Sequence, residues 1–213
     1  MITCPSCARA QSPALVCVGC GAPLGANLDL FAALDLPRRL TIDPAALERA
    51  YHDLSRRLHP DRFAAAPAKI RAASLRATAN LTRAYRTLRD PAARGRYWLE
   101  LHGRKLGDDN QRVPAELAAM VFETQERLEE LRDERTPEAL AGARERRLSV
   151  DAALAEAGRA LAENFARWDA AAATADDERE TRFAELKAVL SKIAYLTTLL
   201  RDIDRELETA RAA

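Results

Sequence analysis

Four cysteines, all within the first 20 residues, are spaced Cys4-x2-Cys7-x9-Cys17-x2-Cys20. Two residues between thiolates let one tight turn aim both sulfurs at a single ion, and two such turns complete a closed tetrahedral S4 site suited to zinc. Every coordination position is then filled by protein, so the site supports structure and leaves no opening for catalysis. Gly19 and Gly21 supply permissive backbone around the second knuckle, and Pro5 and Pro23 stiffen its surroundings. Two disulfides would require an oxidising compartment, and a redox CxxC would normally sit in a larger thioredoxin-like pattern. Structural zinc on Cys4, Cys7, Cys17 and Cys20 is the reading that remains. A segment of about 25 residues cannot make a stable core without such a staple.

The second group with chemical potential is His59-Pro60-Asp61. Neither titratable side chain has a serine or cysteine nearby to activate, and His52 and His102 lack a matching acid and read as surface or packing residues. His59 and Asp61 read as a loop histidine with a capping aspartate or, because a basic helix face leads directly into them, as a binding loop. Two helices must present it. Asp43-Pro44 starts the first, Asp43 capping free amides and Pro44 taking the first helical position. Leu47, Tyr51, Leu54 and Leu58 then fall in one stripe, while Arg49 and Arg56 point away from it with Arg57 and His52 on the flanks. Pro60 disfavours helical geometry at His59 and ends the helix. The second helix, expected from about residue 68 to 88, aligns Ile70, Ala73, Ala77, Leu81, Ala84, Tyr85 and Leu88. Packed antiparallel, the pair makes a rigid hairpin with the loop at its tip.

From Pro114 onward the chain is rich in Ala, Leu, Glu and Arg. Val113-Pro114 opens one helix, Thr136-Pro137-Glu138 caps and opens a second, and residues 174–177 separate it from a third, which predicts an antiparallel three-helix bundle. In the first of these, Leu117, Val121, Thr124, Leu128 and Leu131 form the inward seam. Phe122 points the other way with Ala118, Ala119, Glu123, Glu126 and Glu130, an aromatic set among carboxylates that suits a partner with basic and apolar features.

The net charge of +1 conceals an asymmetry. Residues 37–105 carry 16 Lys and Arg against 6 Asp and Glu, whereas residues 106–213 carry 16 against 24, so the two halves seek different partners. A zinc ribbon beside a basic helical pair could bind nucleic acid, but the basic stripe lacks aromatic stacking residues and the acidic bundle opposes it. No stretch approaches the ~20 apolar residues of a membrane span. No apolar signal core stands at the start, and the expected location is cytoplasmic.

Further runs carry a family resemblance. Leu30-Phe31-Ala32-Ala33-Leu34-Asp35-Leu36-Pro37, the loop His59-Pro60-Asp61-Arg62-Phe63, the run from Ala79 to Tyr85, Arg94-Gly95-Arg96-Tyr97-Trp98-Leu99 and Leu101-His102-Gly103 together resemble a J-domain of the HscB type, with Arg62 where the family usually has lysine. The four-cysteine segment resembles an extension of some longer members. The resemblance implies an all-α protein divided into a zinc module at 1–26, a J-domain at 27–103, a linker at 104–113 and a client-binding bundle at 114–213. It implies a non-enzymatic co-chaperone of iron–sulfur cluster assembly that stimulates ATP hydrolysis by an HscA or DnaK-class chaperone. His59, Pro60 and Asp61 would engage that ATPase, with Arg49, Arg56, Arg57 and Arg62 on its acidic surface. An IscU-type scaffold would bind Ala118, Ala119, Phe122, Glu123, Glu126 and Glu130, with Tyr195 as a further aromatic contact. A J-protein with a different client would share the loop but not the acidic-face interaction.

Overall fold

The computed structural model describes residues 1–106, 114–171 and 176–212, in two compact units, Met1–Tyr97 and Trp98–Ala213. It is the mostly helical arrangement expected, preceded by a small β element. In the first unit, β1 (Ile2–Thr3) pairs antiparallel with β2 (Ala10–Gln11), Ile2 opposite Gln11 and Thr3 opposite Ala10. Buried Cys4, Cys17 and Ala22 form a miniature core joined by Leu24.

The helices of this unit begin with α1 (Leu30–Ala33), a single turn. Asp29 caps it, accepting from the amides of Phe31 and Ala32, and its other oxygen pairs with Arg38 at 2.6 Å. The Tyr97 hydroxyl accepts from the Leu30 amide at 2.9 Å, tying the start of α1 to residue 97. α2 (Pro44–Leu58) starts as expected, with both Asp43 oxygens bonded to helix amides. A 3-10 turn, Pro60–Phe63, leads toward α3 (Ala68–Arg89), on which Ala73, Ala77, Leu81, Ala84 and Leu88 are buried as the periodicity predicts. Ile70 and Tyr85 are half-buried, and Tyr85 stacks on Tyr51 of α2 with centroids 4.1 Å apart. α4 (Pro91–Leu101) opens at Asp90, which accepts from Ala93, and buried Arg94 returns a guanidinium to the Leu88 carbonyl at the end of α3.

Burial works to raise the pKa of Asp29, but the Arg38 hydrogen bond and the Ala32 and Phe31 amides outweigh it and hold the carboxyl below its ordinary value. The folded state thus binds fewer protons than the unfolded chain in acid. The stabilisation from Asp29 is present above its ordinary value of 3.8 and is lost as pH falls through the lowered folded value. Asp29→Ala should cost about 1 kcal/mol at neutral pH, the usual cost of a lost cap. Urea midpoints of wild type and variant should differ at pH 7, and the gap should shrink progressively as pH falls below 3.8. An undiminished gap in acid would contradict the assignment.

In the second unit a 3-10 turn (Ala115–Leu117) precedes α5 (Ala118–Asp133), so the first helix of the bundle begins slightly later than Pro114. α6 (Pro137–Ala170) is capped by Thr136, whose hydroxyl accepts from Ala139, and α7 runs over Asp176–Ala212. Leu117, Thr124, Leu128 and Leu131 are buried and Val121 half-buried, against Val150, Ala157, Leu196, Leu199 and Ile203 of α6 and α7. Residues 107–113, which include most of the expected linker and Val113, and residues 174–175 of the expected break lie outside the described residues, while residues 176 and 177 of that break already belong to α7. His102 is exposed, with its ring tilted against Trp98 and Phe183 and Nδ1 2.8 Å from the Trp98 carbonyl.

Candidate metal centre and docking surfaces

The two cysteine knuckles repeat one hydrogen-bond pattern. The Cys4 amide donates to Arg9 and the Cys17 amide to Ala22, while Ala8 and Gly21 donate back to the Cys4 and Cys17 carbonyls. Ser6 and Gly19 amides point at the Cys4 and Cys17 sulfurs, each at 3.4 Å. The equivalent positions Ala8 and Gly21 both have left-handed backbone, at φ 58° and 73°, so alanine holds in the first knuckle a conformation that glycine supplies without strain in the second.

All four sulfurs lie within 4.8 Å of one another, with Cys4 and Cys20 at 3.6 Å and Cys7 and Cys17 at 3.7 Å. Tetrahedral zinc–thiolate bonds of about 2.3 Å place sulfurs about 3.8 Å apart, so the cage is the right size. Its charge balance is compatible with a cation. The Cys20 amide pulls the Cys17 thiol down to about 6 against the opposing effect of burial, with Gly19 assisting. Cys7 is instead pushed up to about 12: the Arg9 amide favours its thiolate, but the Cys20, Cys17 and Cys4 sulfurs and burial together outweigh it. Four thiolates this close cannot all ionise without a positive ion between them. The cluster can bind a metal through four protein ligands, with no position open to substrate.

The His59-Pro60-Asp61 loop is held by local bonds. The Arg62 amide donates to the His59 carbonyl at 3.0 Å, and the Asp61 amide to His59 Nδ1 at 3.3 Å. The Asp61 side chain is 89% exposed, its carboxylate 3.5 Å from His59 Nδ1. On α2, Arg49 pairs with Asp43 at 3.7 Å and Arg56 with Asp53, whereas Arg57 and Arg62 make no ion pair among the described residues. Two of the four predicted cations are therefore partly neutralised within the chain, Arg56 by a partner three residues earlier on α2 and Arg49 by the capping Asp43.

On α5, Phe122 is 64% exposed, and Ala118, Ala119, Glu123, Glu126 and Glu130 are exposed around it. Glu123 pairs with Arg146 of α6 at 2.8 Å and Glu130 with Arg127 at 2.7 Å, leaving Glu126 without an ion pair among the described residues. Tyr195 of α7 is half-buried against the bundle core. Arg146 reaches Glu123 from another helix, which the sequence pattern does not reveal, whereas Arg127 and Glu130 are local partners three residues apart on α5.

Together these features define the HscB-type co-chaperone fold, with an amino-terminal cluster of four cysteines able to bind a metal. Human co-chaperone HscB has a crystal structure similar to this chain over 95% of it and 97% of the human protein, with a TM-score of 0.69 and 24% identity. Chaperone HscB from Vibrio cholerae is similar over 84% of this chain and 96% of its own, with a TM-score of 0.61 and 22% identity. In sequence, a co-chaperone protein HscB homolog from Aromatoleum aromaticum is 47% identical over 79 residues, 37% of this chain, and the match spans 45% of that relative's length. No protein-family model matches.

Proposed function

We propose that this chain is a non-enzymatic co-chaperone of iron–sulfur cluster assembly, which binds an IscU-type scaffold through its acidic bundle and presents it to an HscA or DnaK-class ATPase. The observation that carries the reading is the exposed His59-Pro60-Asp61 loop at the tip of a helical hairpin in an HscB-type fold. The loop and the cations Arg49, Arg56, Arg57 and Arg62 engage the chaperone and stimulate its hydrolysis of ATP. Charge on this face accelerates the encounter and sets its orientation. Zinc fills the cysteine cage as a structural ion. The cytoplasm, where such thiols stay reduced, is the proposed location. Among the described residues no helix is long and apolar enough to cross a membrane.

On the bundle, Phe122 is the aromatic anchor, Glu126 the carboxylate open to a basic partner, and Ala118, Ala119, Glu123, Glu130 and Tyr195 its surroundings. Calorimetric titration with the IscU-type scaffold of the same organism tests this. Micromolar or tighter binding is expected for wild type, and Phe122→Ala combined with Glu126→Ala should weaken it at least ~30-fold, about the 2 kcal/mol of a hot-spot aromatic. Unchanged affinity in the variant would remove this face from the scaffold site. A client other than an IscU-type scaffold is the second reading. It is favoured by the small Ala118 and Ala119 and by the internal pairing of Glu123 and Glu130, and an absence of wild-type binding would select it.

A further inference from the structure

We infer that Ser74 and Thr78 are positioning residues for the His59-Pro60-Asp61 loop, acting through the Leu58 carbonyl; the inference rests on the function proposed above for that loop. The last carbonyls of an α-helix have no partner within the helix, and a common solution is a left-handed residue just beyond the end that folds the chain back over them. α2 does not use it. His59 is extended, at φ −54° and ψ 128°, and the Arg62 amide bonds the His59 carbonyl instead. Leu58 is fully buried against the hairpin, and its carbonyl accepts from two hydroxyls of α3: Ser74 Oγ at 2.7 Å and Thr78 Oγ1 at 3.2 Å, one helical turn apart.

These hydroxyls behave unlike others on the helices of this chain. Thr124, Thr181, Thr197, Thr198 and Thr209 each donate back to the carbonyl four residues earlier on their own helix. Ser74 and Thr78 reach across to a different helix. Ser74 is fully buried in a seam otherwise built of Ala73, Ala77, Leu81, Ala84 and Leu88, where alanine would pack as well, form helix better and carry no polar group to satisfy. Its hydroxyl makes physical sense through the bond it gives. The Leu58 carbonyl carbon is bonded directly to the His59 nitrogen, so fixing that peptide plane fixes the direction in which the loop leaves the hairpin. The bonds just beyond it run from Arg62 to His59, from Asp61 to the His59 ring and from Ala64 to Asp61, and they shape the loop internally; a second tie to α3, from Arg71 to the Ala66 carbonyl at 2.8 Å, lies at the far end of the connection.

The test is the double variant Ser74→Ala/Thr78→Val in the full chain, beside Thr78→Ser, which keeps a hydroxyl, and Ala77→Gly, which weakens α3 without touching the Leu58 carbonyl. All are compared with wild type at a temperature where circular dichroism shows each fully helical. For the double variant, the maximal stimulated rate of ATP hydrolysis by a DnaK-class chaperone should fall about tenfold. Its half-maximal concentration should change less than threefold, because the cationic face of α2 is intact. Amide exchange at Arg62 and Ala64 should quicken, with the middle of α2 unaffected. Thr78→Ser and Ala77→Gly should stimulate like wild type. A folded double variant with wild-type stimulation and unchanged loop exchange would overturn the clamp alone. Failure of the wild type to stimulate any such ATPase would instead overturn the function on which it rests.

Discussion

Asp61→Asn is expected to leave the fold intact and to abolish stimulation of a DnaK-class ATPase. The side chain is 89% exposed, and its ion pair among the described residues is with the exposed His59 ring, so its loss should change stability by no more than about 0.5 kcal/mol. Any large effect must then come from what the carboxylate meets in a partner. Asparagine keeps the shape and one acceptor oxygen but removes the charge. Removing one member of a buried, hydrogen-bonded charge pair at an interface typically costs about 2–5 kcal/mol, enough to lose ~30-fold or more of the effect. His59→Gln should behave alike, because the His59 ring nitrogen accepts the Asp61 amide and shapes the turn. Single-turnover ATP hydrolysis at saturating co-chaperone measures both variants. Stimulation by Asp61→Asn within twofold of wild type would contradict the role of the loop.

If zinc fills the cysteine cage as proposed, removing it should unfold residues 1–26 and spare the helices. That segment has two strands of two residues each, and its miniature core consists largely of two of the cysteines. Structural zinc contributes about 10–16 kcal/mol of apparent binding free energy in small domains, far more than so little apolar surface can supply. Each helix of the remainder is packed against others through its own buried seam. A strong chelator, or Cys17→Ser, should therefore collapse the amide resonances of residues 1–26 into the random-coil region with little change in far-ultraviolet dichroism. Metal analysis of protein purified without chelator should return one zinc per chain. Intact resonances after chelation, or loss of the helical signal with them, would contradict a local, metal-dependent module.

Features encoded by neighbours in sequence were legible before any coordinates. Asp43-Pro44 marked the start of α2, Pro60 its end, and the apolar spacing of α3 placed that helix to within a residue. The seam from Leu117 to Leu131 was legible for the same reason, since helical periodicity is a local property. The cysteine spacing stated its geometry outright. Long-range contacts were not legible. The Tyr97 hydroxyl on the Leu30 amide spans 67 residues, and the hydroxyls on the Leu58 carbonyl come from 16 and 20 residues away. Nothing in the sequence around Ser74 separates it from an ordinary helical serine, because its meaning depends on which carbonyl the folded hairpin places opposite it. The pairing of Glu123 with Arg146 was hidden likewise, and it changes the expected acidic surface by leaving Glu126 as its open carboxylate.

That one chain joins a client to an ATPase, as proposed, is tested most directly by steady-state ATP hydrolysis by a DnaK-class chaperone with this protein alone, with the IscU-type scaffold alone, and with both. If the bundle delivers the scaffold while the loop acts on the ATPase, stimulation by both together should go well beyond the sum of the two separate effects. A rate equal to that sum would contradict the claim that the two surfaces work as one device.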